Sequence, residues 1–115
     1  MKDSPIFAKT HELLLWLIPS TLRFPREQRF VLARHLQDTA LDLQEQLLEA
    51  ALSTGRAQRA ALKRADVALA KLRYHLRLAQ DLALLSERQY AHAARLVTEI
   101  GRLLGGWMKG AASAD

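Results

Sequence analysis

The chain has 115 residues, of which 50% are hydrophobic, 6% aromatic and 25% charged, with no cysteine and a formal net charge of +5. That length bounds one small domain with enough apolar material for a core, and the missing cysteines exclude disulfides and thiolate metal sites. Leu, Ala, Arg, Gln and Glu prevail over β-branched residues, which predicts an all-α fold.

Four helices are expected, at about 5–22, 25–52, 56–84 and 87–108. Ser4 followed by Pro5 reads as an N-cap with proline at the first helical position. Residues 13–18 are apolar nearly all round, Trp16 included, and Pro19 removes a backbone hydrogen bond late in this helix, which predicts a kink. Pro25 suits the first turn of a second helix, with Glu27 placed where the helix dipole favours an acid. The stretch "LIPSTLRFPREQRF" (17–30) is therefore expected to be an elbow between two antiparallel helices.

The second helix carries a core stripe of Leu32, Leu36, Ala40, Leu43, Leu47 and Ala50, and a second apolar row of Phe30, Leu41, Leu48 and Leu52. "STGR" (53–56) supplies a glycine for a tight turn. In the third helix, Leu62, Ala65, Leu69, Leu72, Leu76, Ala79 and Ala83 alternate steps of three and four on one stripe. Ser86 with Gln89 three residues later is a capping box opening the fourth helix. Its expected stripe is Tyr90, Ala94, Val97, Gly101, Leu104 and Met108. Glycine is a poor helix former, so this helix is expected to fray after Gly105-Gly106, with 110–115 a disordered tail. Gly101 and Gly105 suggest close helix approach or a helix end. Residues 1–109 are thus expected to fold as an up-down-up-down four-helix bundle.

Two helices that are apolar on more than one face exceed what one bundle core buries, which points to self-association. Leu14, Trp16, Leu17, Phe30, Leu41 and Leu48 are the candidate interface residues. The longest uninterrupted apolar run, 13–19, falls far short of the roughly 20 residues of a membrane span, and no secretory signal is read. A cytoplasmic protein without a membrane partner is expected.

Charge is unevenly placed. Residues 1–55 hold 6 Lys/Arg against 7 Asp/Glu, whereas residues 56–114 hold 11 against 4. Basic charge concentrated in one half points to an anionic partner. At about 100° per residue, Arg56, Arg59, Lys63, Arg73 and Arg77 share one side of the third helix. Arg88, Arg95, Arg102 and Lys109 recur every seventh residue on the fourth, almost opposite its core. Such rows neutralise a series of phosphates without reading sequence. Aromatic residues near them are few (Tyr74, Trp107), so no base-stacking platform is evident.

Asp38, Asp42, Glu45 and Glu49 step along the second helix, but no Glu-x-x-His pair accompanies them, so ion pairing or solvation is expected, with no metal or cofactor. His11, His75 and His92 have no nucleophile beside them. Arg29 and His35 have the spacing of the Arg-x(4–6)-His motif of HEPN ribonucleases, a spacing that an Arg-rich chain also produces by chance. A HEPN-like ribonuclease is the enzymatic alternative.

The segments "WLIP…FPREQRF", "LRYHLRL" and "EIGRLLGGW", in that order, resemble the accessory variability determinant (Avd) proteins of diversity-generating retroelements. These belong to a wider group of ribosomal-RNA intervening-sequence four-helix proteins, and the resemblance runs from about Ile6 to Lys109. It implies a bundle that assembles into a homopentameric barrel with a positive surface. It also implies a non-enzymatic role as partner of a reverse transcriptase and binder of RNA or DNA during mutagenic retrohoming. The "LRxxLR" pattern maps to Arg73 and Arg77, and the arginine of "EIGR" to Arg102. Arg59, Lys63, Arg88, Arg95 and Lys109 rest on the row argument alone. An intervening-sequence-type RNA-binding protein without a polymerase is the other alternative.

Overall fold

The computed structural model describes residues 4–113. It contains four α-helices: α1 Pro5–Leu22, α2 Arg34–Ala51, α3 Gly55–Asp81 and α4 Glu87–Ser113. Each helix packs mainly on its two neighbours in cyclic order, α1 on α2, α2 on α3, α3 on α4 and α4 back on α1. Short connections force each helix to run opposite to the one before it, which gives an elongated bundle of 47 × 24 × 22 Å.

The core follows the stripes closely in α2 and α3. Leu36, Leu43 and Leu47 of α2 meet Leu62, Leu69, Leu72 and Leu76 of α3, all at most 2% exposed. Ala83, placed at the end of the third stripe, is exposed instead. In α4 the buried residues are Ala93, Leu96, Val97, Ile100, Leu104 and Ala111. That line is rotated from the expected one, because Tyr90, Ala94 and Gly101 lie toward α3 rather than at the bundle axis. Thr10 and Thr21 are buried in α1, where their hydroxyls donate to the carbonyls of Ile6 (2.7 Å) and Leu17 (2.8 Å). Burial of these hydroxyls is tolerable only because such partners are present.

The helix ends depart from expectation in three places. The second helix does not begin at Pro25. Gln28 N–H donates to the Pro25 carbonyl (2.8 Å), closing a 3₁₀ turn over Arg26–Gln28; a π-helical turn over Arg29–Ala33 follows, and α2 starts at Arg34. α3 stops at Asp81, not at 84. Ala83 adopts a left-handed φ of 61°, and the Leu84 N–H turns back to the Ala79 carbonyl (2.8 Å), which lets Leu85 enter the core. α4 passes straight through Gly105 and Gly106 to Ser113, so residues 110–113 are helical where a disordered tail was expected; Ala114 and Asp115 lie outside the described residues.

Ser4 stands at the N-cap of α1 with no side-chain capping hydrogen bond among the described residues, whereas two other terminal signals act as read. Ser86 N–H donates to Gln89 Oε1 (2.8 Å) and Gln89 N–H to Ser86 Oγ (3.1 Å), a reciprocal capping box. Gly55 takes a φ of 57°, the left-handed conformation that the α2–α3 turn requires. Pro19 sits inside α1, which continues to Leu22.

Candidate nucleic-acid interface

The helix order sorts the charges. α2 carries one basic and four acidic residues, α3 seven and two, and α4 four and two. α3 and α4 therefore build a basic side of the bundle, and α2 an acidic strip beside it.

Arg73 joins the two basic helices. Its guanidinium extends from α3 onto α4 over Gly101, where an added Cβ would stand 3.1 Å from Nη2 and 3.4 Å from Leu69 Cδ2. The missing side chain at Gly101 is what lets the arginine lie there. Arg73 also lines a groove of about 110 Å³ between α3 and α4 with Tyr90 and Thr98. Arg77 lies one turn further along α3, exposed beside Tyr74 and Asp81. Arg88, Arg95 and Lys109 are exposed on the outer side of α4, away from its buried line. Arg59 is half-buried near the start of α3.

Arg102 and Lys63 stand apart from this set. Arg102 donates from Nε to Glu99 Oε2 (3.2 Å) and from Nη2 to the other carboxylate oxygen, a two-pronged ion pair. The hydrogen bond from Arg102 holds the Glu99 carboxyl below its usual range, with the positive charges of Arg102 and Lys9 adding to it, and the same pair pushes Arg102 up. One carboxylate of the protein itself thus already engages this exposed guanidinium. Lys63 lines the opposite edge of α3, in a groove of about 460 Å³ shared with Asp38, Asp42, Arg64 and Lys71. Carboxylates on that wall oppose phosphate, so Lys63 belongs to a mixed-charge groove and not to the basic side.

The expected self-association residues divide as well. Leu14 and Leu17 are 6% and 0% exposed and belong to the protomer's own core, which corrects their assignment to an interface. Trp16 is half-buried, its ring 5.4 Å from that of His92 on α4. Phe30, Leu41 and Leu48 are exposed. Leu15 and Leu22 are also exposed on α1; Leu15 escapes notice in the sequence because nothing within an all-apolar run distinguishes inner from outer positions until neighbouring helices are placed. A shallow apolar groove of about 350 Å³, lined by His11, Leu15, Ile18, Pro19 and Gln44, runs between α1 and α2.

His35 faces His75 edge-on at 5.1 Å between ring centroids, and no hydrogen bond or ion pair joins it to Arg29 among the described residues. No group of three or more His, Asp or Glu residues able to hold a metal ion occurs among the described residues, and no described helix is long and apolar enough to cross a membrane.

The family model for bAvd-like proteins matches residues 6–111. A crystal structure from Bacteroides thetaiotaomicron, described as a protein of unknown function from the S23 ribosomal protein family, superposes with a TM-score of 0.85 at 22% identity. The match covers 95% of this chain and 99% of that one, and shows that the two share a fold. No curated protein matches the sequence.

Proposed function

This chain belongs to the bAvd-like family of accessory proteins, and from that premise we propose that it is a non-enzymatic, homo-oligomeric partner of a retroelement reverse transcriptase that holds nucleic acid on its α3–α4 side. In this reading the subunits form a closed ring, the homopentameric barrel that the resemblance implies, and each contributes its basic side to a shared surface. Template RNA, or its hybrid with cDNA, is held close to the polymerase by phosphate contacts, and sequence is read elsewhere.

The observation that carries the reading is the seat of Arg73 over Gly101. It brings together two of the three segments that carry the resemblance, "LRYHLRL" and "EIGRLLGGW", and makes one basic surface from two helices. Arg73, Arg77, Arg88, Arg95 and Lys109 are the proposed contacts, with Arg102 demoted by its pair with Glu99.

Charge reversal at Arg73 and Arg77 tests it. Fluorescence anisotropy with labelled RNA across a salt series is expected to show binding lost or strongly weakened, with the slope of log K against log salt reduced by about 1.4–1.8, because each of the two lost phosphate contacts removes roughly 0.7–0.9. The oligomer mass should be unchanged. Persistent binding with the wild-type slope would overturn the site.

A further inference from the structure

Two helices of this chain carry exposed rows of the same spacing and opposite charge. On α2 and its C-cap residue, Leu41, Glu45, Leu48 and Leu52 follow one another at steps of four, three and four. On α3, Val67, Lys71, Tyr74 and Leu78 follow the same steps. In each row a single charged residue occupies the second place, acidic on α2 and basic on α3.

The apolar members are open to solvent in the protomer: Leu41, Leu48 and Leu52 are 38%, 44% and 88% exposed, and Val67, Tyr74 and Leu78 are 43%, 70% and 37% exposed. Apolar rows of this length on two helices of one small domain mark contact surfaces. The charges inside them are also uncommitted. Arg34 pairs with Asp38 at 3.7 Å and Arg64 with Glu49 at 3.4 Å, but neither Glu45 nor Lys71 has an ion-pair or hydrogen-bond partner among the described residues.

We infer that the α2 row of one copy of this chain seats on the α3 row of another copy, with Leu41 and Leu48 packed against Val67, Tyr74 and Leu78, and Glu45 paired with Lys71. A second copy is the occupant because the complement of each row is on the page, on the same chain. Pairing of α2 with α2, or of α3 with α3, would bring like charges together and is disfavoured. This deepens the proposed self-assembly and rests on it. It also divides the work of α3: the edge bearing Lys71 meets another subunit, and the edge bearing Arg73 meets nucleic acid.

Three variants of the full chain test the pairing by analytical ultracentrifugation, starting from a protomer of 13.0 kDa. Glu45→Lys and Lys71→Glu each set like charges against one another and are expected to raise the oligomer dissociation constant at least about tenfold. The exchanged double variant E45K/K71E restores opposite charges and is expected to return to within about threefold of wild type. Far-UV circular dichroism spectra recorded below the melting transition, unchanged for these exposed positions, separate loss of assembly from loss of folding. Single reversals that assemble like wild type, or a double variant no better than its parents, would overturn the pairing while leaving the proposed ring intact. A wild-type chain that is monomeric would overturn both. RNA binding through Arg73 and Arg77 is measured separately and fails or stands independently.

Discussion

Ala83 holds a φ of 61° without being glycine. The left-handed region costs an L-residue roughly 1–2 kcal/mol, from which the greater freedom of glycine in the unfolded chain must be subtracted. Ala83→Gly is therefore expected to stabilise the protein by about 0.5–1 kcal/mol, readable as a rise in melting temperature. Gly101 makes the opposite case, a glycine in ordinary helical conformation that is there for space. Gly101→Ala gains helix propensity but places a methyl group against the Arg73 guanidinium, whose flexible end must move. Stability should hold or rise slightly, while RNA affinity falls about two- to threefold, less than 1 kcal/mol. His75 provides a pH dependence. Burial lowers its pKa from the ordinary 6.5, and the neighbouring His35 and Lys71 lower it further; its Nδ1 is buried without a hydrogen-bond partner among the described residues. The unfolded chain accepts a proton that the folded chain resists. The contribution is therefore fully present above about pH 6.5 and is lost as pH falls through the folded value. His75→Gln should flatten the decline of melting temperature between about pH 7 and pH 5.

At the scale of elements, α4 is a long helix with a weak second half. Gly105 and Gly106 are exposed, and an added Cβ at either would meet nothing within 4 Å. Propensity alone then decides the sign, and Gly105→Ala with Gly106→Ala should stabilise by about 1–2 kcal/mol together, checked by thermal melting. The low helix propensity of these glycines predicts an earlier helix end. Propensity was overruled by packing: Leu104 before them and Ala111 after them are both buried, so the helix continues to keep both in the core. The start of α2 shows a second kind of miss. Pro25 fixes the direction of the chain as expected, but burial of Phe24 before it and of Leu32 and Ala33 after it is met by a 3₁₀ turn and a π turn in succession. A repeat read at constant helical pitch cannot anticipate that change of winding. The α2 and α3 stripes and the Ser86–Gln89 box were legible because each depends on local spacing alone.

Over the whole molecule, the helix order turns an uneven charge along the sequence into an uneven charge around the bundle. If the α3–α4 side holds nucleic acid, neutralising Arg88 and Arg95 with glutamine should lower both affinity and salt slope, whereas Asp38→Asn with Asp42→Asn should leave the slope unchanged. The basic rows were visible in the sequence, since heptad recurrence of Arg88, Arg95, Arg102 and Lys109 needs only helical geometry. Which arginines remain available was not, because Arg102 is claimed by Glu99, and the place of Lys63 depends on the acids of α2 across the groove. Sequence by itself determined that this chain is a four-helix, basic, amphipathic bundle, for periodicity and composition are local properties. Tertiary structure alone decided that Leu14 and Leu17 are core while Leu15 and Leu22 face outward, and that Arg73 crosses to Gly101. Those outcomes depend on how each helix is rotated about its axis against its neighbours, and no single helix contains that information.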